Sequence, residues 1–468
     1  MTAVRSLPQE AFVVNVGLPR FADAVEQQGS SVVHVDWSPP AGGDPELVRA
    51  LTRLHGTASV AIDEANAEIV RRLDTGVPLL VGTSPARAVV PDLDERMLLH
   101  AGPPIGYADV CDPLKRSMRA AVVAEGWADD VGAAERLLAA GGVLLSAAND
   151  HATVVPMATA LGPTTPVWIA ENGDVRAFAP INQGPGDVAW FGRDSQAAID
   201  RLVLLRDVVQ PRFQRVLEQG GPLDIMSLAA QGVQMGDDVH LRTQATTNLL
   251  VRTLLPHLQS LGNDAGSTAM AEFLATSHLF FLTIAMAGAK SLTRSAETVP
   301  GGTVITTMAR NGTTFGVKVA GSPQWHVCDA PPVGDALYYS GYTEANAALD
   351  IGDSAVLELV GLGGAAAAAS PAVAGFLGGS MADAARATEE MRAICVGTSS
   401  RFKLPPLGFS GSPLAVDVRR VVDTGIRPKV TTGVLHVSSG VGQIGAGVAT
   451  APSEGFRELL LALAASTG

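Results

Sequence analysis

The run GVGQIGAG at residues 440–447 constrains this chain more than any other stretch, because it fits the GxGxxG dinucleotide fingerprint where that fingerprint has no room. A nicotinamide or flavin site uses such glycines to open a helix inside a βαβ unit, with an acidic residue about 20 positions further on to hold the ribose. Only 23 residues follow Gly445, and AGVATAPSEG at their head reads as a loop. The second strand has no place. What remains for Gly440, Gly442 and Gly445 is a bare backbone whose N–H groups can converge on an anion or an oxyanion. Phosphate or carboxylate chemistry, with no cofactor, is the expectation.

Composition narrows the field further. A chain of 468 residues has room for roughly two to four domains with real cores, and 47% hydrophobic against 17% charged residues describes a well-buried protein and fits an enzyme or enzyme subunit. A net charge of -13, with Lys and Arg nowhere gathered into a stripe, argues against nucleic acid. Cys111, Cys328 and Cys395 show no CxxC or Cys/His spacing, so neither a metal site nor a disulfide framework is expected, and a reducing, cytoplasmic setting is. The N-terminus lacks the pattern of a signal peptide. FLATSHLFFLTIAMAGA (273–289) and LVGLGGAAAAASPAVAGFLGG (359–379) are short or broken by Gly and Pro, and read as core pieces with no membrane span.

The periodicities predict an α+β multidomain protein: an N-terminal α/β (βαβ-type) unit at 1–91, a mixed α/β domain at 92–194, a helical subdomain at 195–300 and a C-terminal α+β domain with glycine-rich loops at 301–468. In the first, FVVNVG and SVVHVDW read as strands around the helix RFADAVEQQ. In the last, AVLELVGLGG reads as a strand-like run ending in Gly361, Gly363 and Gly364 before an alanine-rich helical start.

Several residues carry chemistry in principle. Arg310, Asn311 and Gly312 sit at a turn between two strand-like runs; Asn-Gly is a hairpin signal in itself, and a guanidinium beside it can bind a carboxylate or phosphate bidentately. Asp353 precedes the Gly361–Gly364 loop, where free N–H groups would favour an anion unless the glycines serve close packing. Arg419 and Arg420 lead into the opening glycine run and form either an anion clamp or a solvated face. His100, His151 and His240 lie near turn residues, and an imidazole suits proton delivery to a poor nitrogen leaving group. Asp237 and Asp238 read better as helix N-terminal acids than as metal ligands.

LLHAGPPI (98–105), AEGWA (124–128), MGDDVHLR (235–242), ARNGTTFGVKVAG (309–321), GDSA (352–355) and DVRRVVDTGIRPKVTTG (417–433) through GQIGAG closely resemble the YlbE/AllG-like family. The N-terminal VNVGLPRFADAVEQQGSSVVHVDWSPPAGGD resembles a segment of FdrA-like proteins. The resemblance implies a carbamoyltransferase subunit: phosphate attacks the carbamoyl carbon of an oxalurate-like acid, giving carbamoyl phosphate and an amide such as oxamate, or the reverse. It implies FdrA-like and AllH-like partner subunits, with a homo-oligomer left open. Within it, Arg310, Asn311, Arg419, Arg420 and the glycine runs are candidates for substrate or phosphate binding, and His100, His151, His240 and Asp353 for catalysis. A non-catalytic scaffold subunit and a stand-alone ureide or amide hydrolase are the alternatives. Relatives tend to carry His-His-Val-Asn where this chain has Asp150, His151, Ala152 and Thr153, and Asn where it has Thr243, so the acceptor is open to change.

Overall fold

Strand pairing divides the described residues into several small sheets, none wider than four strands. The structure, a computed structural model, describes residues 13–466 apart from Asp36, Thr57 and Ser439. Phe12 and Asp36, at the ends of the first two predicted strands, therefore lie outside the described residues. The chain is mixed α and β throughout, as its periodicities predict.

At the N-terminus, strands Val13–Val16 and Val32–Val35 pair in parallel around helix Pro19–Gln27, the predicted βαβ unit. Alternation puts Val14, Val16, Val33 and Val35 on the exposed face. The unit ends there. Strand Leu79–Pro85 instead joins an antiparallel sheet between Pro166–Asn172 and Leu223–Asp224, with Val175–Pro180 at its edge. Strands Met97–His100 and Leu144–Ala147 are parallel, joined through helices Asp112–Ala124 and Val131–Ala139.

The helical middle culminates in Phe281–Glu297, fourteen of whose 17 residues are buried. A helix covered on every side needs no polar face, which is why its sequence shows no amphipathic stripe. Small residues make that possible: a Cβ on Gly288 would stand 2.9 Å from Ile225 and Met226. Trp168 meets Phe213 and Phe280 edge-on, with centroids 5.2 and 5.6 Å apart, against this helix. Helix Ala265–Thr276 precedes it at a bend of 80°, so residues 273–289 are not one helix. Among the described residues no single helix is long and apolar enough to cross a membrane.

Beyond residue 300, Ile305–Asn311 and Thr314–Val319 form the predicted hairpin, widened by His326–Asp329 and Ile351–Gly352. Two expectations change here. AVLELVGLGG is not a strand: Val356–Leu359 is a helical turn, and Gly363–Ala369 continues as a 3-10 helix. A fully buried apolar run has no period that separates strand from helix. Nor is the stretch after Gly445 a loop, since Gln443–Thr450 is the central strand between Asp335–Tyr338 and Lys429–Leu435. The long hairpin Cys395–Leu404 with Ser410–Val416 adds a pair that sequence reading missed. One hydrophobic cluster runs from Ile69 to Leu435 through the helical middle, while a second gathers the hairpin 305–319 with the helices Pro45–His55 and Glu454–Ser466.

Candidate functional site

The loop after helix Ile225–Gln234 is shaped by its own two aspartates. Asp237 accepts from the N–H groups of Ala245 (3.2 Å) and Thr246 (2.7 Å), capping the next helix, Gln244–Gln259. Asp238 accepts from the N–H groups of His240, Leu241 and Arg242 and from the Thr431 hydroxyl. This tight wrapping holds Val239, a β-branched residue, at a φ of 63°, which costs energy unless the surroundings enforce it. The result is a fixed position for His240.

His240 Nδ1 lies 2.7 Å from Oε1 of Glu358, and both side chains are buried. The same carboxylate oxygen accepts from Gly364 N–H (3.0 Å) and Thr431 N–H (3.1 Å), while Oε2 has no protein partner. Gly363 sits at a φ of 57° with no space for a Cβ, which would fall 2.1 Å from that oxygen. The loop therefore does donate to an anion. The anion is the protein's own Glu358.

Arg310 is fully buried and grips Asp350 through Nε (2.7 Å) and Nη2 (3.2 Å), leaving Nη1 unpartnered. Asp350 also accepts from the Thr432 hydroxyl at 2.9 Å. Its guanidinium thus turns inward. Asn311 closes the hairpin turn, accepting from Thr313 and Thr314 N–H and donating to the Pro103 carbonyl. Asp353 accepts from Gly102 N–H (2.8 Å) and Val155 N–H (3.1 Å), and burial pushes its carboxyl up to about 7. His100, two residues before Gly102, is fully buried with Nδ1 against the Ala101 carbonyl and Nε2 unpartnered; burial lowers its pKa.

His240, Thr432 and Ser354, the neighbour of Asp353, line a small cavity of about 30 Å³ together with Met157, Trp190 and Gln443 among others. That is room for one or two water-sized groups. Met157, at a φ of 48°, is a second strained residue at its wall. Trp190, Phe191, Leu241, Leu279 and Gln443 line both this cavity and an open cleft of about 890 Å³, whose walls carry Arg193, Arg242, His278 and Tyr339. Apolar walls with a few converging polar groups suit a small-molecule site.

The structure brings part of the predicted set to this place. His240 lines the cavity, Arg310 reaches Thr432 through Asp350, Asp353 adjoins Ser354, and Gly363 and Gly364 enclose Glu358. The others lie in separate contacts. His151 is held between the Pro91 carbonyl and the Ser146 hydroxyl. Arg419 is tied to Asp417 and Asp63, and Arg420 donates to the Cys395 carbonyl. Gly361 packs on Pro413 and Phe402. Gly440 and Gly442 flank the hairpin tip beside Arg116 and Arg193, whereas Gly445 lies in the strand, where a Cβ would meet the Leu337 carbonyl at 2.5 Å. Sequence reading missed Glu358, Asp350 and Arg242. Glu358 had a signal, as the lone charge in an apolar run.

A family model described as oxamate carbamoyltransferase subunit AllG matches residues 143–354, a span that holds Met157, Trp190, His240, Arg310 and Ser354. Two proteins of Escherichia coli K12 are similar: the uncharacterized protein YahG, 34% identical over 455 residues and covered to 96% on both sides, and oxamate carbamoyltransferase subunit AllG, 35% identical over 418 residues, which are 87% of this chain and 99% of that one. The crystal structure of a conserved protein of unknown function from Enterococcus faecalis V583 superposes with a TM-score of 0.85 at 35% identity, covering 88% of this chain and all of that one. With about a third of its residues identical to an AllG subunit over 87% of this chain and 99% of that one, this chain belongs to the AllG family.

Proposed function

We propose that this chain is a subunit of a carbamoyltransferase that moves a carbamoyl group between phosphate and a small amide acid of the oxamate type, working with FdrA-like and AllH-like subunits. The observation that carries the reading is the His240–Glu358 pair at the wall of an apolar cavity. With Nδ1 taken by a carboxylate held by two backbone N–H groups, Nε2 is the ring nitrogen left for proton transfer. In the synthetic direction, the amide nitrogen attacks the carbamoyl carbon, the carbon–oxygen bond to phosphate breaks, and the proton lost from nitrogen passes to His240. The reverse reaction returns that proton to the departing amide nitrogen while phosphate attacks. An imidazole so placed addresses the hard part of the reaction, because an amide anion is a poor leaving group. Trp190, Phe191 and Leu279 give the cavity an apolar wall.

The test is reconstitution. The chain and its partner subunits, given oxalurate and phosphate, are expected to form carbamoyl phosphate and oxamate. His240→Gln is expected to lower the rate by about 10²–10⁴-fold with thermal unfolding little changed. No phosphate-dependent cleavage by the full set sinks the activity; full activity of His240→Gln sinks the site.

A further inference from the structure

We infer that Arg242 is the receptor for the carboxylate of the carbamoyl acceptor, and hence the residue that makes this site prefer an amide acid over a neutral amide. The inference rests on the function proposed above and adds to it the basis of acceptor choice.

Among the described residues, three side chains of fixed charge line the open cleft: Asp187, Arg193 and Arg242. The first two cancel. Arg193 holds Asp187 through Nε (2.6 Å) and Nη2 (3.2 Å) and spends Nη1 on the Val441 carbonyl at 3.0 Å. Arg242 is held far more loosely. Its Nη1 reaches the Gly236 carbonyl at 3.4 Å, and its Nε stands 3.5 Å from Asp237. Asp237 is itself buried and already accepts from two backbone N–H groups and the Thr246 hydroxyl. A guanidinium has five N–H donors, so at least three of those on Arg242 have no protein partner among the described residues. Both cleft arginines are partly exposed, so it is the looser tethering, with its carboxylate contact at 3.5 Å against 2.6 Å for Arg193, that makes Arg242 the cation of the cleft an incoming ligand can engage.

Charge and shape favour a carboxylate. One guanidinium fork matches one planar carboxylate bidentately and balances its single charge, whereas a phosphate near neutral pH carries up to about two. Position agrees with this. Arg242 and His240 flank Leu241, whose side chain lines both cleft and inner cavity, so neighbouring residues of one loop would receive the two ends of a short acid. Asp238 holds that loop by accepting the N–H groups of His240, Leu241 and Arg242, which keeps the spacing of receptor and base constant. Binding energy from the unreactive carboxylate is then available to orient the reacting amide.

The experiment is calorimetric titration of the full chain, alone and with its partner subunits, using oxamate, its neutral isostere oxamide, and inorganic phosphate. Arg242→Gln is expected to weaken oxamate binding on the order of 100-fold, to leave oxamide and phosphate binding as in the parent, and to lower kcat/KM for the acid through both a raised KM and a reduced kcat. Arg242→Lys should recover part of the loss. Unchanged oxamate affinity in Arg242→Gln, an equal loss for phosphate, or a parent chain that binds neither oxamate nor any short monocarboxylate would overturn the inference. The two readings fail separately. Oxamate binding that depends on Arg242 without any carbamoyl transfer refutes the activity and keeps the receptor; transfer indifferent to Arg242→Gln does the reverse.

Discussion

Two glycine-rich stretches of this protein look alike in sequence and do opposite things in space. GVGQIGAG turns a hairpin and enters a central strand, where Gly445 and Gly447 let neighbouring backbones close to distances no Cβ would allow. GLGGA, at 361–365, folds over a buried carboxylate, with Gly364 donating to Glu358 and Gly363 leaving space for it beside His240. In both the small side chain permits a close approach. What approaches is set elsewhere in the chain: an edge strand at Leu337 in one case, a glutamate from the preceding helical turn in the other. Gly102 extends the second pattern, since its N–H and that of Val155 hold Asp353.

The contrast can be broken by experiment. Asp353 should show the largest effect. Its carboxyl is pushed up to about 7 from a usual 3.8, mainly by burial, so the folded state favours the protonated form. Its contribution to stability is then fully present below the ordinary carboxylate range and is lost as pH rises through about 7, a change of up to about 4 kcal/mol. Urea unfolding midpoints should fall across that window in the parent and flatten in Asp353→Asn. A parent curve with no slope between pH 4 and about 7 would show that Asp353 is not held protonated by burial.

Gly364→Ala comes next. Its Cβ would fall 2.2 Å from the Lys429 carbonyl, so the backbone must move, at about 3 kcal/mol. Because Gly364 N–H holds Glu358, the ring-proton shifts of His240 should change as well. Gly445→Ala is the control from the other stretch, with an expected loss of about 2 kcal/mol from pushing apart two strands and His240 ring shifts as in the parent. If both variants disturb His240 alike, the distinction between the stretches is wrong.

Much of the architecture was legible. Amphipathic and alternating patterns located the N-terminal βαβ unit and most helices, because those elements are half exposed and carry a period, and the Asn-Gly turn located the Arg310 hairpin although its strands are buried. The failures share a cause. Val356–Leu359 and Gln443–Thr450 are buried nearly all round, so no solvent-facing residues mark their geometry. For the site, His240 was within reach as a histidine beside turn residues, but its partner is 118 positions away. Arg419 and Arg420 were attractive as neighbours of a glycine run and instead pair with Asp417, Asp63 and the Cys395 carbonyl.

By itself the sequence determined that the chain is a mixed α and β protein of the AllG kind. Local period and motif order are properties of neighbours, and they survive without coordinates. Only the tertiary structure decided which anion each glycine loop serves, that Arg310 turns inward to Asp350, and that Arg242 stands loosely held at an open cleft. Those outcomes depend on contacts between distant segments and on what burial leaves unpaired. No spacing along the chain encodes either.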